Sequence, residues 1–459
     1  MKVTLAGYNI DIETIEAARQ AVSEHLMTPE TLSAAYARIS RSPKTAGELR
    51  SEARENVEKA RKSNRNIVFE MGHASIAEHA VFNIDLEGMS RFLLEEIQRH
   101  RLASYTEKSQ RYVRLGDDFL YPEEWSDLKS ELKELHDRCS EFYQKLCEAD
   151  IPGEDARYFL PFTTKTQLGM TINARSAEHL ILALASSTLE ESRLLATKLH
   201  EICGEVTPSL IRYIVPSEYH RRMYSSGINP VITKKDQDFT MYSEFHGGYI
   251  RLVNITENPD NTILTANYAR NTGVGFEDAK IYIDSLSIDE KASYFSGLTE
   301  SATIHDRMTV DFEHVVMTWD IVLSAAAFAQ LKRHRISSIG HSFLDPNLGF
   351  TVPKSISTEF YTECKKLISY SESIYSRFIE ENGPVAAAAY ALLSGHRRRV
   401  MWTLNLREYY HFSRLRQDAH AQWDIRNMAN AMTEKLRDMI PVCSQFLGGK
   451  SELSSDIEY

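Results

Sequence analysis

The tripeptide Arg-His-Arg occurs twice in this chain, as Arg99-His100-Arg101 and Arg333-His334-Arg335. Each copy ends an apolar segment, GMSRFLLEEIQ before the first and AAAFAQLK before the second. Other matches flank the triplets in the same order. Glu78-His79 and Glu313-His314 precede them, and Thr171-Ile-Asn-Ala-Arg175 and Thr403-Leu-Asn-Leu-Arg407 follow. Further upstream, LSAAYARIS (32–40) resembles ILTANYARN (263–271). A repeat of about 230 residues is a whole domain, far longer than a solenoid unit. The chain is therefore expected to fold as two related units, residues 1–214 and 248–459. Residues 215–247, which contain VPSEYHRRMYSSGINPVITKKDQDF, are rich in turn formers and basic side chains and read as a linker.

Composition narrows the function classes. With 459 residues, 42% hydrophobic and 25% charged, the chain has the make-up of a globular protein large enough for two domains. No apolar stretch approaches the ~18–20 residues of a membrane span. The start, MKVTLAGYNIDIETIE, lacks the apolar core of a signal peptide, so a cytoplasmic location is expected. Cys139, Cys147, Cys203, Cys364 and Cys443 show no CxxC spacing and read as reduced thiols. A net charge of −11 argues against a dedicated nucleic-acid binder, although basic clusters suit a small anionic ligand. His73 and His79, and His334 and His341, are spaced without an HExxH pattern or clustered carboxylates, and no metal site is expected.

Apolar residues recur at three and four positions over 127–149, 176–205, 357–381 and 408–440, which predicts helices. AVFNIDLEG and VVMTWDIVL alternate as strands do. Glycine-rich phosphate loops are absent. The fold class is α+β, helix-rich with antiparallel strands, and duplicated.

Chemistry concentrates in RHRLASYTEKSQRY. One helix end there offers two guanidiniums and an imidazole to different acceptors. Glu107, Ser109 and Arg111 follow at a spacing of two, which in an extended loop sets all three on one side. A hydroxyl, a cation and backbone amides suit a phosphate, with the carboxylate available to a ligand hydroxyl. The plainer reading is a helix C-terminus whose cations complement its dipole, followed by a polar turn. Residues alone leave both open. Asn173 and Asn405 read equally as turn or cap residues. His396-Arg397-Arg398-Arg399 reads as an exposed basic run at a helix end, and Trp423 as packing.

RHR followed by a serine eight residues after its last arginine resembles the signature of flavin-dependent thymidylate synthases. GHASIAEH (72–79), SRFLLEEIQRHR, EDARYFLP (154–161) and TINARS (171–176) resemble neighbouring segments of that family, and WTLNLREYYHFSRLR (402–416) and AHAQWDIR (419–426) its C-terminal helix. The matches run through most of both units in the family's order. The resemblance implies two tandem copies of that fold, with flavin (FAD) contacts at His73, Arg99, His100, Arg101, Asn173, Arg175, His334, Arg335, Asn405, Arg407 and His411. Arg407 and His411, four apart, share one helix face and suit a cofactor groove. Nucleotide contacts fall on Glu107, Ser109, Arg111, Arg157, Gln330, Arg333 and Arg416, with Ser109 and Arg416 in the catalytic positions.

The departures from the pattern are unevenly spread. Unit one has Glu96 where the family has glutamine, Leu184 where it has a substrate-binding arginine, and no counterpart of AQWDIR. Unit two has His341, Phe343 and Asp345 where Glu, Ser and Arg belong, Met308 in place of His73, and Tyr390 in the place matched by Arg157. His179 and His411 stand where the family tends to have asparagine. Neither unit carries a complete site. Family members are homotetramers with shared sites, so a homodimer of this chain would form a pseudo-tetramer with two kinds of composite site. One kind joins Glu107, Ser109 and Arg111 to Gln330, Arg333 and Arg416. The other joins Arg157 and Leu184 to Phe343 and Asp345, and is expected not to bind phosphate.

The resemblance implies a reaction without a cysteine nucleophile. Reduced FAD takes part in moving a one-carbon unit from methylenetetrahydrofolate to carbon 5 of dUMP, with NADPH as reductant. The alternative is a catalytically silent homologue that binds flavin or nucleotide and serves as a partner or regulatory protein.

Overall fold

The computed structural model describes residues 1–19, 27–114, 118–224, 239–303, 305–381 and 383–453. It divides into two compact units, and neither is a single stretch of chain. Unit one comprises Met1–Gly153, Leu160–Ile232 and Glu363–Leu392, and unit two comprises Glu154–Phe159, Thr233–Thr362 and Leu393–Tyr459. Each unit is mainly one repeat plus a short segment of the other.

In unit one, β1 (Lys2–Tyr8), β2 (Val81–Ser90), β3 (Ala103–Glu107) and β4 (Lys165–Asn173) form an antiparallel sheet in the order β1-β2-β4-β3. Alternation decides which face of β2 is covered: Phe82, Ile84 and Leu86 are buried while Asn83, Asp85 and Glu87 face outward. The covered face shares a core with helices Arg91–Gln98, Ala174–Ala185 and Glu190–Val206, through Leu93, Ile97, Leu180, Leu184 and Leu199. The Lys129–Glu148 helix of the first repeat meets the Tyr361–Glu380 helix of the second through an Arg377–Glu131 ion pair at 2.6 Å. Beside it, Trp125 stacks on Phe378 with ring centroids 4.3 Å apart and donates to the Ala387 carbonyl at 2.8 Å.

In unit two, β5 (Ser243–Phe245), β6 (Gly248–Ile255), β7 (Val316–Ser324), β8 (Ser338–His341) and β9 (Arg397–Asn405) form a second antiparallel sheet, ordered β5-β6-β7-β9-β8. Trp319, Trp402, Phe412 and Met428 fill its core with the Ala325–Leu331, Leu406–Arg416 and Trp423–Met439 helices. β5–β6 is a tight hairpin. A Cβ on Gly248 would sit 1.8 Å from the Val322 carbonyl oxygen of β7, so only glycine lets the start of β6 lie that close to β7.

A buried carboxylate anchors the borrowed segment in each unit. Glu191 accepts from the Ser90 amide at 2.8 Å, the Ser90 hydroxyl at 2.5 Å and the Tyr390 hydroxyl at 2.8 Å. Asp424 accepts from the Ser324 hydroxyl at 2.5 Å and the Tyr158 hydroxyl at 2.9 Å. Ser90 and Ser324 also cap the helices that lead into the Arg-His-Arg triplets. Tyr390→Phe keeps the ring and removes one bond to a buried carboxylate. A loss of about 1–2 kcal/mol is expected in denaturant unfolding.

Several expectations are met and others corrected. AVFNIDLEG and VVMTWDIVL are β2 and β7. The stretches 176–205 and 408–440 each break into two helices, because Ser186 and Gln417 end the first and Leu189 and Gln422 start the second. The basic run at 396–399 does not end a helix. It opens β9, with His396 and Arg398 buried and Arg398 over the Phe328 ring at 4.5 Å. Tyr390 occupies the place of Tyr158, each being the middle residue of a short 3-10 turn, so Ala389 and not Tyr390 stands opposite Arg157. Within 215–247 the chain forms the helix Glu218–Tyr224 and β5, while 225–238 lie outside the described residues. All five cysteines are buried and free. Among the described residues no helix is long and apolar enough to cross a membrane.

Candidate nucleotide and cofactor site

The Leu406–Arg416 helix begins where Asn405 ends β9 and accepts the Glu408 amide at 2.8 Å, a side-chain N-cap. Leu406, Tyr409 and Phe412 point into the core. Arg407, His411 and Arg414 recur at helical spacing on the other side and line a cavity of about 460 Å³. Its walls also include Asn405, Glu408, Tyr410, Leu415, Met308, Ile336, Arg307 and Lys450. Asn405, Arg407 and His411, three of the residues expected at a flavin, thus share one concave surface.

At the last turn of this helix, Arg416 faces the triplet-bearing helix of the same repeat, Ala325–Leu331. Its Nη1 donates to Gln330 Oε1 at 3.1 Å, its Nη2 to the Gln330 carbonyl at 3.3 Å, and its Nε to His334 Nε2 at 3.0 Å. Nε2 must therefore be the acceptor, which leaves the proton of neutral His334 on Nδ1, 3.4 Å from Glu408 Oε1. Burial, then the charges of Arg416, His411 and Arg333, hold His334 well below the usual imidazole range. Burial likewise raises the Glu408 carboxyl. Gln330 Nε2 is buried with no hydrogen-bond partner, a donor set for an acceptor not supplied by the fold. Arg333 is exposed and Arg335 half-buried.

The first repeat places the same positions differently. His100 is lowered to about 4 by burial and by Arg99 and His179. Asn173 caps its helix through the Ser176 amide at 2.8 Å, and Arg175 pairs with Glu78 at 2.6 Å, as Arg407 pairs with Glu313 at 2.5 Å. Arg101 is exposed, and His73 lies near Arg41, ring nitrogen to guanidinium 3.5 Å. Leu184, opposite Arg416, is a core residue, 2% exposed. Glu96, opposite Gln330, accepts from the Ser192 hydroxyl and is raised by burial.

The Glu107-Ser109-Arg111 loop is extended only as far as Lys108. Glu107 closes β3, where it accepts from Gln98 at 3.1 Å and lies 3.5 Å from Arg91. The chain then turns: Ser109 Oγ accepts the Arg111 amide at 3.2 Å and the Ser109 carbonyl accepts the Val113 amide at 3.1 Å. Spacing of two therefore does not set the three side chains in one row, because the serine turn intervenes. In unit two, Asp345 instead caps the Pro346–Leu348 turn through the Asn347 amide at 2.9 Å.

Arg157 belongs to unit two with Gln330, Arg333 and Arg416. It is buried, donates to the Glu154 carbonyl at 3.0 Å, and its charge reaches Asp424 and Asp155. Trp423 does more than pack: it stacks on His246 and donates to Asp155 at 2.7 Å. Sequence reading missed the Asp424 and Glu191 anchors. Their available signal was a serine opening each triplet-bearing helix and a tyrosine in each of ARYF and AAYA. Burial lifts the Asp424 carboxyl to about 6, against the Ser324 and Tyr158 hydrogen bonds and the charges of Arg397 and Arg157. Between about pH 4 and 6 the folded chain holds a proton that the unfolded chain releases, so this group makes stability fall as pH rises. Asp424→Asn is expected to remove roughly 2–3 kcal/mol of that decline. Unfolding midpoints of both proteins at pH 4 and pH 7 measure it.

The sequence profile of the family described as thymidylate synthase complementing protein matches residues 21–209 and 251–442. A flavin-dependent thymidylate synthase from Sulfurisphaera tokodaii is 34% identical over 151 residues, covering 32% of this chain and 59% of its own. The chain thus spans about three fifths of that relative. A protein of the UPF0159 group from Thermoplasma acidophilum is 26% identical over 449 residues, covering 82% of this chain and 86% of its own. A solved UMP/dUMP methylase from Streptomyces cacaoi, bound with 5-Br dUMP, covers 46% of this chain and 92% of its own at 19% identity and a TM-score of 0.37. Both repeats match one profile, together over most of the chain, and the chain belongs to the flavin-dependent thymidylate synthase family as a tandem duplicate.

Proposed function

We propose that this chain is a flavin-dependent enzyme of pyrimidine nucleotides, acting as a thymidylate synthase with one competent site per chain. The observation that carries it is the Arg416–Gln330–His334 cluster beside a cavity lined by Asn405, Arg407 and His411. A flavin suits that cavity: its size is that of a cofactor site, Tyr410, Leu415, Ile336 and Met308 offer apolar wall, and Arg407, Arg414 and Lys450 offer charge. When bound, reduced FAD would supply the reducing chemistry for one-carbon transfer from methylenetetrahydrofolate to carbon 5 of dUMP, with NADPH as reductant.

The protein's own share is binding and orientation. Gln330 presents a buried amide donor for a pyrimidine carbonyl, and Arg416 fixes the orientation of that amide by holding its oxygen. Neutral His334 keeps a second positive charge out of the site. Ser109 and Arg111 are the phosphate-binding pair of this reading, and Arg333 a further cation. Leu184, Phe343 and Asp345 supply no such groups, which supports one site rather than two for each chain. A homodimer that rebuilds the family's four-unit assembly is part of the same proposal.

The test is thymidylate formation from dUMP, methylenetetrahydrofolate and NADPH by the flavin-loaded protein, followed by chromatography. Product from the wild type and none from Arg416→Ala is the expected result. No product from either, under conditions where the protein holds flavin, removes the synthase reading and leaves a silent flavin-binding homologue.

A further inference from the structure

The cavity of the second repeat carries cations that the first repeat lacks at the same positions. Counting from the matched N-caps Asn173 and Asn405, Arg414 falls opposite Leu182. Counting from the matched turn ends His79 and His314, Arg307 falls opposite Gly72. Both arginines line the cavity, together with Lys450.

Local contacts hold the Arg414 side chain and the backbone next to Arg307 and Lys450. Arg414 donates to the Asp306 carbonyl and so ties the 305–308 loop to the helix. The Asp306 carboxylate is turned onto Thr303, accepting its amide at 2.8 Å and its hydroxyl at 2.7 Å, which folds the loop beside Arg307. Lys450 is held because the Ser451 amide donates to Asp418 at 3.2 Å just past the end of the Leu406–Arg416 helix. Among the acids in the wall, Glu313 is paired with Arg407, Glu408 is raised by burial, and Asp306 alone faces three cations while bonded to Thr303. Positive charge therefore prevails on the side formed by Arg307, Arg414 and Lys450.

We propose that Arg307, Arg414 and Lys450 form a diphosphate-reading wall that makes the second-repeat cavity select a flavin dinucleotide over riboflavin, and that this cavity holds the single dinucleotide of each chain. The inference rests on the flavin reading above. A planar guanidinium and an ammonium at the rim give charge-assisted bonds to phosphate oxygens, whereas Gly72 and Leu182 in the first repeat give none.

The experiment is titration of the flavin-free full chain with FAD and with riboflavin, followed by fluorescence quenching, in wild type, Arg307→Gly, Lys450→Gln and Arg414→Leu. Wild type should take one FAD per chain and bind it at least about a hundredfold more tightly than riboflavin. Arg307→Gly and Lys450→Gln, both at exposed positions, should each weaken FAD about tenfold and leave riboflavin unchanged. Arg414→Leu should do at least as much, and circular dichroism reports whether it still folds. Equal affinity for FAD and riboflavin, FAD binding untouched in both exposed variants, or two FAD per chain overturns the proposal while leaving a flavin protein. No binding of either flavin overturns it together with the flavin reading.

Discussion

Arg416→Ala is expected to keep its flavin and lose its nucleotide. The guanidinium makes three contacts, two to Gln330 and one to His334, all inside unit two. Its removal releases the Gln330 side chain and leaves the Gln330 carbonyl at the end of its helix without that donor. Charge-assisted bonds contribute about 1.5–3 kcal/mol each, so dUMP affinity should fall at least about a hundredfold. Arg416→Lys keeps the charge and loses the fork that spans two acceptors, and should recover only part of the loss. Asn405, Arg407 and His411 are untouched by either change, so flavin affinity should stay within a few-fold. Isothermal titration with dUMP, beside the flavin absorbance of the same samples, separates the two effects. Wild-type dUMP affinity in Arg416→Ala would show that this arginine is purely structural.

The double change Ser109→Ala with Arg111→Ala should be comparably severe, and selective for phosphate. Two charge-assisted bonds at about 1.5–3 kcal/mol each correspond to a loss of roughly a hundredfold to a thousandfold or more. Deoxyuridine, which has no phosphate, should bind the variant and the wild type alike. Ser109 also braces its own turn by accepting the Arg111 amide, so the single Ser109→Ala change loosens the loop as well as removing a donor. Parallel titration with dUMP and deoxyuridine is the measurement. An equal loss for both ligands would locate the effect in the turn and not in phosphate recognition.

The duplication, the strands β2 and β7 and the cavity-lining face of the Leu406–Arg416 helix were legible because each is carried by local pattern. Alternation sets the sheet faces, and Arg407 and His411 four apart must share a helix face. What the sequence hid depends on long-range partners. The exchange of Glu154–Phe159 and Glu363–Leu392 between units follows from buried tyrosines meeting carboxylates far along the chain, Tyr158 with Asp424 and Tyr390 with Glu191. No periodicity reports such a pairing. The run at 396–399 was misplaced for a related reason: three arginines in succession look solvated, yet alternation in β9 buries Arg398 against Phe328 while Arg399 reaches Asp320 at 2.9 Å. The Glu107-Ser109-Arg111 geometry was misjudged because a serine two residues before an amide favours a turn over extended chain.

The absorption spectrum of the purified, oxidised protein, recorded before and after adding dUMP, bears most directly on whether this chain brings a pyrimidine nucleotide to a flavin. A flavin band that shifts with dUMP in the wild type, and not in Arg416→Ala, is expected. A colourless protein that takes up no added FAD, or a flavin band indifferent to dUMP at any concentration, would contradict it.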